Sequence, residues 1–327
     1  MTKRIGQSEH SNVLLGVFPG ESERLRTIRA FQAWLSRSLD VVTTFIRTDV
    51  PASYRREFVT RYLSAIVDAD LVPLLTWEPF GFETSSDASP VRSINEGRVD
   101  DEIHQWAELL RTWLSESPNR TVIFRPAHEM NGTWYPWSAG HGTTPEEYTR
   151  MWRRLFETFA DSGVQRERVD WMWCINVTDG TCVPPFEYFP GEQYVDWIGV
   201  DVYNFGDSQP WSSWHSPDAV FEQTLAAVHA ETNLPLAIPE TGCSSAYSSE
   251  RRPLRKSQWL VDAFELFNEY GVELAGWFNM SKETDWTVLE PVSSDTATIR
   301  KRIELNGRQY DCYPRFNQVS ARICGKD

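Results

Sequence analysis

Apolar runs recur along the chain, with amphipathic stretches between them. The runs are Val13–Gly20, Val41–Thr48, Leu71–Phe80, Thr121–Glu129, Val169–Val177, Val195–Phe205, Pro235–Gly242 and Val272–Asn279. Each is apolar without strict alternation, the pattern of a strand covered on both faces. Most gaps carry a helical period with a start signal. In "TTPEEYTRMWRRLFETF", Thr144 stands as N-cap, Pro145 at the first helical position and Glu147 at the third, which predicts a capping box. Ser216 and Pro217 open "SPDAVFEQTLAAVHA" in the same way. "DDEIHQWAELLRTWL" places acids in its first turn, where the helix dipole favours them. The gap from Thr178 to Tyr194 is too rich in Pro and Gly to predict a helix.

Strands alternating with helices predict parallel pairing. The economical architecture is an α/β fold, a (β/α)8 TIM barrel forming a single domain over residues 1–327. It would carry a short N-terminal tail (1–11) and a C-terminal extension (about 281–327) wrapping the barrel. A doubly wound open sheet is the alternative, but no Gly-rich phosphate loop follows the first run. The loops after the third, fourth and eighth runs are long, and in a barrel they lie at the C-terminal face, where active sites are built.

The formal net charge of −14 repels phosphates and anionic surfaces, so neither nucleic acid nor membrane is expected as a partner, and a monomer is expected. Lys3, Lys256, Lys282, Lys301 and Lys326 are the only lysines among 32 basic residues, a bias that fits salt adaptation and genomic base composition equally. No signal peptide is visible at the N-terminus, which leaves localisation open between the cytoplasm and an exported chain lacking its signal. The five cysteines have no zinc-like spacing, and whether Cys312 and Cys324 pair is left open. Fifteen tryptophans predict a Trp-rich core, with some rings left for flat ligands.

Reactive groups gather at one end of the runs. The fourth ends in Arg125, His128 and Glu129, the seventh in Glu240, the sixth in Asp201 and Tyr203, and the third in Trp77 and Glu78. The eighth ends in Trp277 and Asn279, with Asp285 and Trp286 beyond. Strand alternation would put Arg125, Ala127 and Glu129 on one face, and Leu236, Ile238 and Glu240 on another. Two opposed carboxylates near aromatic rings are the apparatus of glycoside hydrolysis, and a narrow barrel mouth favours the retaining separation of about 5–5.5 Å. No cofactor and no metal are needed, because two carboxylates and water suffice. The "HE" at 128–129 opens the metalloprotease motif, but Gly132 stands where its second His would fall.

"LLTWEPF", "FRPAHEMNGTWYPW", "VDWIGVDVYNFG" and "AIPETG" resemble the corresponding segments of glycoside hydrolase family 26, retaining enzymes of the large (β/α)8 clan. Most families of that clan have Asn before the acid/base Glu; this family has His, here His128. The resemblance implies Glu129 as acid/base and Glu240 as nucleophile, 111 positions apart. It implies His128 on the sugar at the cleavage subsite, Tyr203 near the nucleophile, and Trp134 and Trp277 as stacking platforms. Trp137, Trp77, Glu78, Arg125 and Asp285 complete the candidate substrate-binding set. The substrate expected is a β-1,4-linked polysaccharide, mannan or glucomannan first, cut internally. One departure weighs against mannan: "WYPWSAG" stands where mannan-cutting members often read Trp-Phe-Trp-Trp-Gly. Mixed-linkage β-1,3-1,4-glucan and β-1,3-xylan are the alternatives within the family.

A reading from a different class is a catalytically silent barrel that binds a glycan. Such a homologue would usually lack one of the two Glu residues, and both are present. Asn119, Asn131, Asn176 and Asn279 form sequons, read as chance because a glycan at three of them would block the cleft.

Overall fold

The computed structural model describes residues 13–83, 89–177, 183–246, 255–292 and 300–322. Eight strands close into a barrel in chain order: β1 (Leu14–Phe18), β2 (Val41–Arg47), β3 (Val72–Glu78), β4 (Val122–Pro126), β5 (Val169–Asn176), β6 (Trp197–Asn204), β7 (Leu236–Cys243) and β8 (Leu274–Phe278). Each lies within one of the apolar runs except β7, which runs one residue past its own, and the alternating order and parallel pairing are those of the (β/α)8 fold. No described helix is long and apolar enough to cross a membrane.

The described residues fall into two compact units. The first holds residues 43–200 and 231–235. Here β3, β4 and β5 pair in parallel, Thr76 opposite Arg125 and Phe124 opposite Trp171. Helix Asp100–Ser115 begins with three acids. Helix Pro145–Asp161 begins with the predicted capping box: Glu147 N donates to Thr144 Oγ1 at 3.3 Å, and Thr144 N to Glu147 Oε2 at 3.2 Å. Two 3-10 turns, Pro185–Tyr188 and Glu192–Tyr194, occupy the described part of the Pro-rich gap.

The second unit holds residues 13–42, 201–230 and 236–322. β1 and β8 run in register from Leu14 opposite Leu274 to Phe18 opposite Phe278. Between Ile238 and Thr241, β7 advances three residues while β8 advances two, so a bulge falls at Pro239–Glu240. Bulges at barrel rims re-aim side chains. Beyond β8 a small antiparallel sheet forms from β9 (Leu289–Pro291), β10 (Lys301–Leu305) and β11 (Arg308–Cys312), and helix Pro314–Arg322 follows. Cys312 is buried with a free thiol; Cys324 lies outside the described residues.

Candidate active site

In the first unit the chain leaves β4 abruptly. The strand ends at Pro126, and both Ala127 (φ 46°) and Glu129 (φ 54°) take left-handed backbone. For residues with a Cβ this costs about 1–3 kcal/mol each. Strand alternation therefore does not extend to Glu129, which corrects the shared face expected for Arg125, Ala127 and Glu129. The segment switches partners instead: Ala127 N donates to Trp77 O of β3 at 3.0 Å, and Glu129 N to Cys174 O of β5 at 2.8 Å. Three successive carbonyls are each capped, Ala127 O by Tyr148 Oη (3.0 Å), His128 O by Trp137 Nε1 (2.7 Å) and Glu129 O by Gly132 N (3.0 Å). This full set of donors is what holds the strained segment in place.

The Glu129 carboxylate is buried and accepts two side-chain hydrogen bonds. Trp134 Nε1 donates to Oε2 at 2.6 Å and Asn176 Nδ2 to Oε1 at 2.7 Å. Trp134 folds back over Gly132, where a Cβ would stand 2.7 Å from its ring. Asn131 treats Asn176 as a strand neighbour: its Oδ1 accepts from Asn176 N at 2.9 Å and its Nδ2 donates to Asn176 O at 2.8 Å. Asn131 and Asn176 carry no signal in the sequence beyond their sequons.

The aromatic residues around this carboxylate divide by exposure. Trp134 is 48% exposed and remains available as a platform. Trp137 is buried, its ring stacked on Tyr135 at 4.4 Å with 8° between planes, so it supports a surface without being one. Pro136 lies between the two rings in sequence: Ser138 N bonds back to Tyr135 O at 3.0 Å, a turn with Pro at its second position. The His128 ring is buried against Tyr135 at 4.8 Å and Phe45 at 6.0 Å. Two candidates turn inward. Trp77 is buried against Phe82, Trp106 and Phe124, so the substrate-binding role expected of it is corrected to core packing. Arg125 is fully buried, donating to Thr76 Oγ1 from Nε (2.9 Å) and Nη2 (2.6 Å) with Phe45 beneath it, which makes it a strut of the barrel. Glu78 is buried at the end of β3.

In the second unit Glu240 sits in the β7 bulge, buried, with Tyr203 Oη donating to its Oε2 at 2.8 Å. The Tyr203 ring packs on Trp286 at 5.0 Å and on Phe278 at 5.6 Å. Gly242 makes room for this wall, since a Cβ there would lie 3.0 Å from Trp286 and 3.1 Å from Tyr203. Gly242 of the "ETG" is therefore a packing requirement. Trp277, expected to be a platform, is buried; its Nε1 donates to Trp286 O at 3.0 Å and so fixes the loop beyond β8. Asn279 fixes the same loop through Leu289 O (2.9 Å), Val288 N (2.8 Å) and Leu289 N (3.1 Å).

Asp285 is also committed to structure. Its Oδ1 accepts from Thr287 N (3.0 Å) and Thr287 Oγ1 (2.6 Å), and its Oδ2 pairs with Arg300, which also pairs with Glu290. Burial works to raise its pKa, but Lys256 and Arg300 outweigh it and hold the carboxylate below its usual range. The substrate role expected for Asp285 is corrected accordingly. Lys256 lies fully buried beneath, donating to Ser245 Oγ (2.9 Å), Thr287 O (2.9 Å) and Asp285 O (3.4 Å). Burial lowers its pKa to about 8, against the opposing pull of Asp285. Cys243, one step past the "ETG", is buried and its thiol is pushed well up by desolvation, which fits packing.

Comparisons with known proteins bear on this arrangement. Endoglucanase H of Acetivibrio thermocellus is 30% identical over 288 residues, 85% of this chain and 29% of that protein. The mannan endo-1,4-beta-mannosidase A and B of Caldalkalibacillus mannanilyticus is 31% identical over 110 residues, 31% of this chain and 21% of that protein. The chain thus spans less than a third of the length of these curated relatives. Among solved structures, the catalytic domain of a Bacillus sp. JAMB-750 endo-beta-1,4-mannanase superposes with a TM-score of 0.68, covering 95% of this chain and 86% of that one at 18% identity. A beta-mannanase from Bacteroides ovatus superposes at 0.61, covering 85% of each chain, also at 18% identity. At that identity the likeness concerns the fold. The pattern described as glycosyl hydrolase family 26 matches residues 80–249, more than half of the chain and inclusive of both glutamates: the chain belongs to glycosyl hydrolase family 26.

Proposed function

We propose that this chain is an endo-acting, retaining β-glycanase that hydrolyses a β-1,4-linked polysaccharide by double displacement. The observation that carries the reading is a pair of buried glutamates, Glu129 just past the C-terminal end of β4 and Glu240 near the C-terminal end of β7, each held by hydrogen-bond donors. In the first step Glu129 gives its proton to the glycosidic oxygen as the bond from that oxygen to the anomeric carbon breaks. A Glu240 oxygen attacks the same carbon and forms a glycosyl ester. In the second step Glu129 takes a proton from water, the water oxygen attacks the anomeric carbon, and Glu240 leaves as carboxylate.

The local geometry suits these roles. Tyr203 donates to one oxygen of Glu240 and so orients the carboxylate for attack. Glu129 must gain and lose a proton in every turnover. Trp134 Nε1 is a donor only, but the Asn176 amide has a donor and an acceptor end. Turned over, it would accept from the protonated acid as readily as it now donates to the carboxylate.

Mannan or glucomannan is the first substrate reading, supported by the mannosidases among the relatives. Mixed-linkage β-glucan is the second. It is favoured by Pro136 and by the endoglucanase, which aligns over 85% of the chain where the mannosidase above aligns over 31%. Reducing-sugar release from galactomannan, glucomannan, mixed-linkage β-glucan, β-1,3-xylan and cellulose, at low and high salt and with Glu240→Gln as control, tests the reading. Release from one polymer that vanishes in the control is expected. No release from any would turn the assignment toward a silent glycan binder.

A further inference from the structure

Trp211 is 72% exposed, the most open large apolar side chain among the described residues. Isolated exposed hydrophobics need no explanation in themselves. This one is held in place. It lies in the loop after β6, where Ser212 Oγ donates to Gly206 O at 2.7 Å and Gln209 N to Ser212 Oγ at 3.2 Å. Gln209 Nε2 ties the loop to the segment beyond β8 through Glu283 O at 2.9 Å. The loop's base is clamped by Asn204, whose Oδ1 accepts from Gly206 N at 3.0 Å and whose Nδ2 donates to His215 O at 2.8 Å. A side chain rigidly wired and left bare is arranged for contact rather than for burial.

Its neighbours lead to the reaction centre. The Trp211 ring packs on Phe205 at 4.8 Å, Phe205 on Trp286 at 4.8 Å, and Trp286 on Tyr203 at 5.0 Å, whose hydroxyl holds Glu240. A continuous series of rings thus runs from the nucleophile to an open indole. Flat, rigid and amphipathic, an indole face suits the apolar face of a pyranose ring and costs little entropy on binding.

We propose that Trp211 is an outer sugar platform that stacks one pyranose of the glycone, on the side of the ring attacked by Glu240 and away from the leaving group. The nucleophile keeps the glycone as its ester after the leaving group departs, and Trp211 belongs to the ring series of the nucleophile. The inference rests on the glycanase reading above.

The test uses aryl β-glycosides of two, three and four β-1,4-linked sugars, in gluco and manno series, so that chain length grows only on the glycone side. In Trp211→Ala, kcat/KM relative to the parent should fall about tenfold for the longer glycones and little for the shortest, with Trp211→Phe recovering most of the loss. An equal loss at every length, or none at any, overturns the platform. If the parent cleaves none of these glycosides, the glycanase reading fails separately, and calorimetry with unsubstituted oligosaccharides decides Trp211. Weaker binding of the longest oligosaccharide by Trp211→Ala than by the parent supports it, and equal binding or no binding overturns it.

Discussion

The two carboxylates are held in opposite styles. Glu129 sits outside any strand, on strained backbone, and its carboxylate accepts from two neutral donors, an indole and an amide. Glu240 sits within a strand, and the loop walling it in is anchored by an ionic cluster of Lys256, Asp285, Arg300 and Glu290. The difference fits the proposed division of labour. An acid/base changes protonation twice per turnover and is best served by partners that can reorient. A nucleophile must meet one carbon along one line, and rigidity serves that.

The sharpest break in the comparison is removal of each carboxylate. Glu240→Gln should lower kcat on polymer by more than about 10⁴-fold. Glu129→Gln should lower it by about 10²–10⁴-fold, and much less for glycosylation by a dinitrophenyl glycoside, whose leaving group needs no proton. Stopped-flow release of dinitrophenol separates the two; equal losses in that step would reverse or void the assignment.

Their partners should differ likewise. Asn176→Ala and Trp134→Phe should cost about ten- to a hundredfold on polymer and distinctly less on the dinitrophenyl glycoside, while Tyr203→Phe should cost about the same on both. Steady-state rates on the two substrates decide it, and a uniform loss in all three variants would remove the distinction.

Two glycines sharpen it further. Gly132→Ala pushes on the half-exposed Trp134 ring, which can yield, so thermal melting should change little while activity falls. Gly242→Ala pushes on buried Trp286 and Tyr203 and should destabilise by about 1–3 kcal/mol. Denaturant midpoints that fall equally would contradict it.

The ionic anchor gives an effect that depends on pH. Lys256 has a folded pKa of about 8, below that of an unfolded lysine. Below pH 8 both states carry the proton and the burial cost is felt in full. As pH rises toward the unfolded value the folded chain releases the proton first, and stability grows. The parent should therefore gain about 2 kcal/mol over Lys256→Met between pH 7 and 9.5. Urea unfolding of both proteins at the two pH values reads this directly, and a constant difference would show that Lys256 does not titrate there.

The strands were legible because apolar runs of the right length leave few alternatives, and the capping box was legible because its signal is local. The end of β4 was not. Nothing in "RPAHE" announces that Ala127 and Glu129 will adopt left-handed backbone, since the donors that hold them come from Tyr148 and Trp137, distant or downstream in sequence. Both glutamates stood out through their motifs. Asn176 did not, because its partners Asn131 and Glu129 lie 45 and 47 positions away. Tryptophan identity gives no exposure: Trp77 and Trp277 face inward where Trp134 faces out. Trp211 had one usable signal, a large aromatic within the polar stretch "GDSQPWSSWH" directly after a strand's C-terminal end.

The anchor also has an order in time. A ribosome makes Glu240 and Trp286 before it makes Arg300, which clamps Asp285 and Glu290, and before Tyr313, whose backbone N–H reaches Val288 O at 2.9 Å and whose hydroxyl reaches Ser245 at 3.1 Å. While the chain is still being threaded out, the wall behind the nucleophile lacks its fastening. The wall beside Glu240 is therefore fastened late in synthesis, after most of the barrel has emerged.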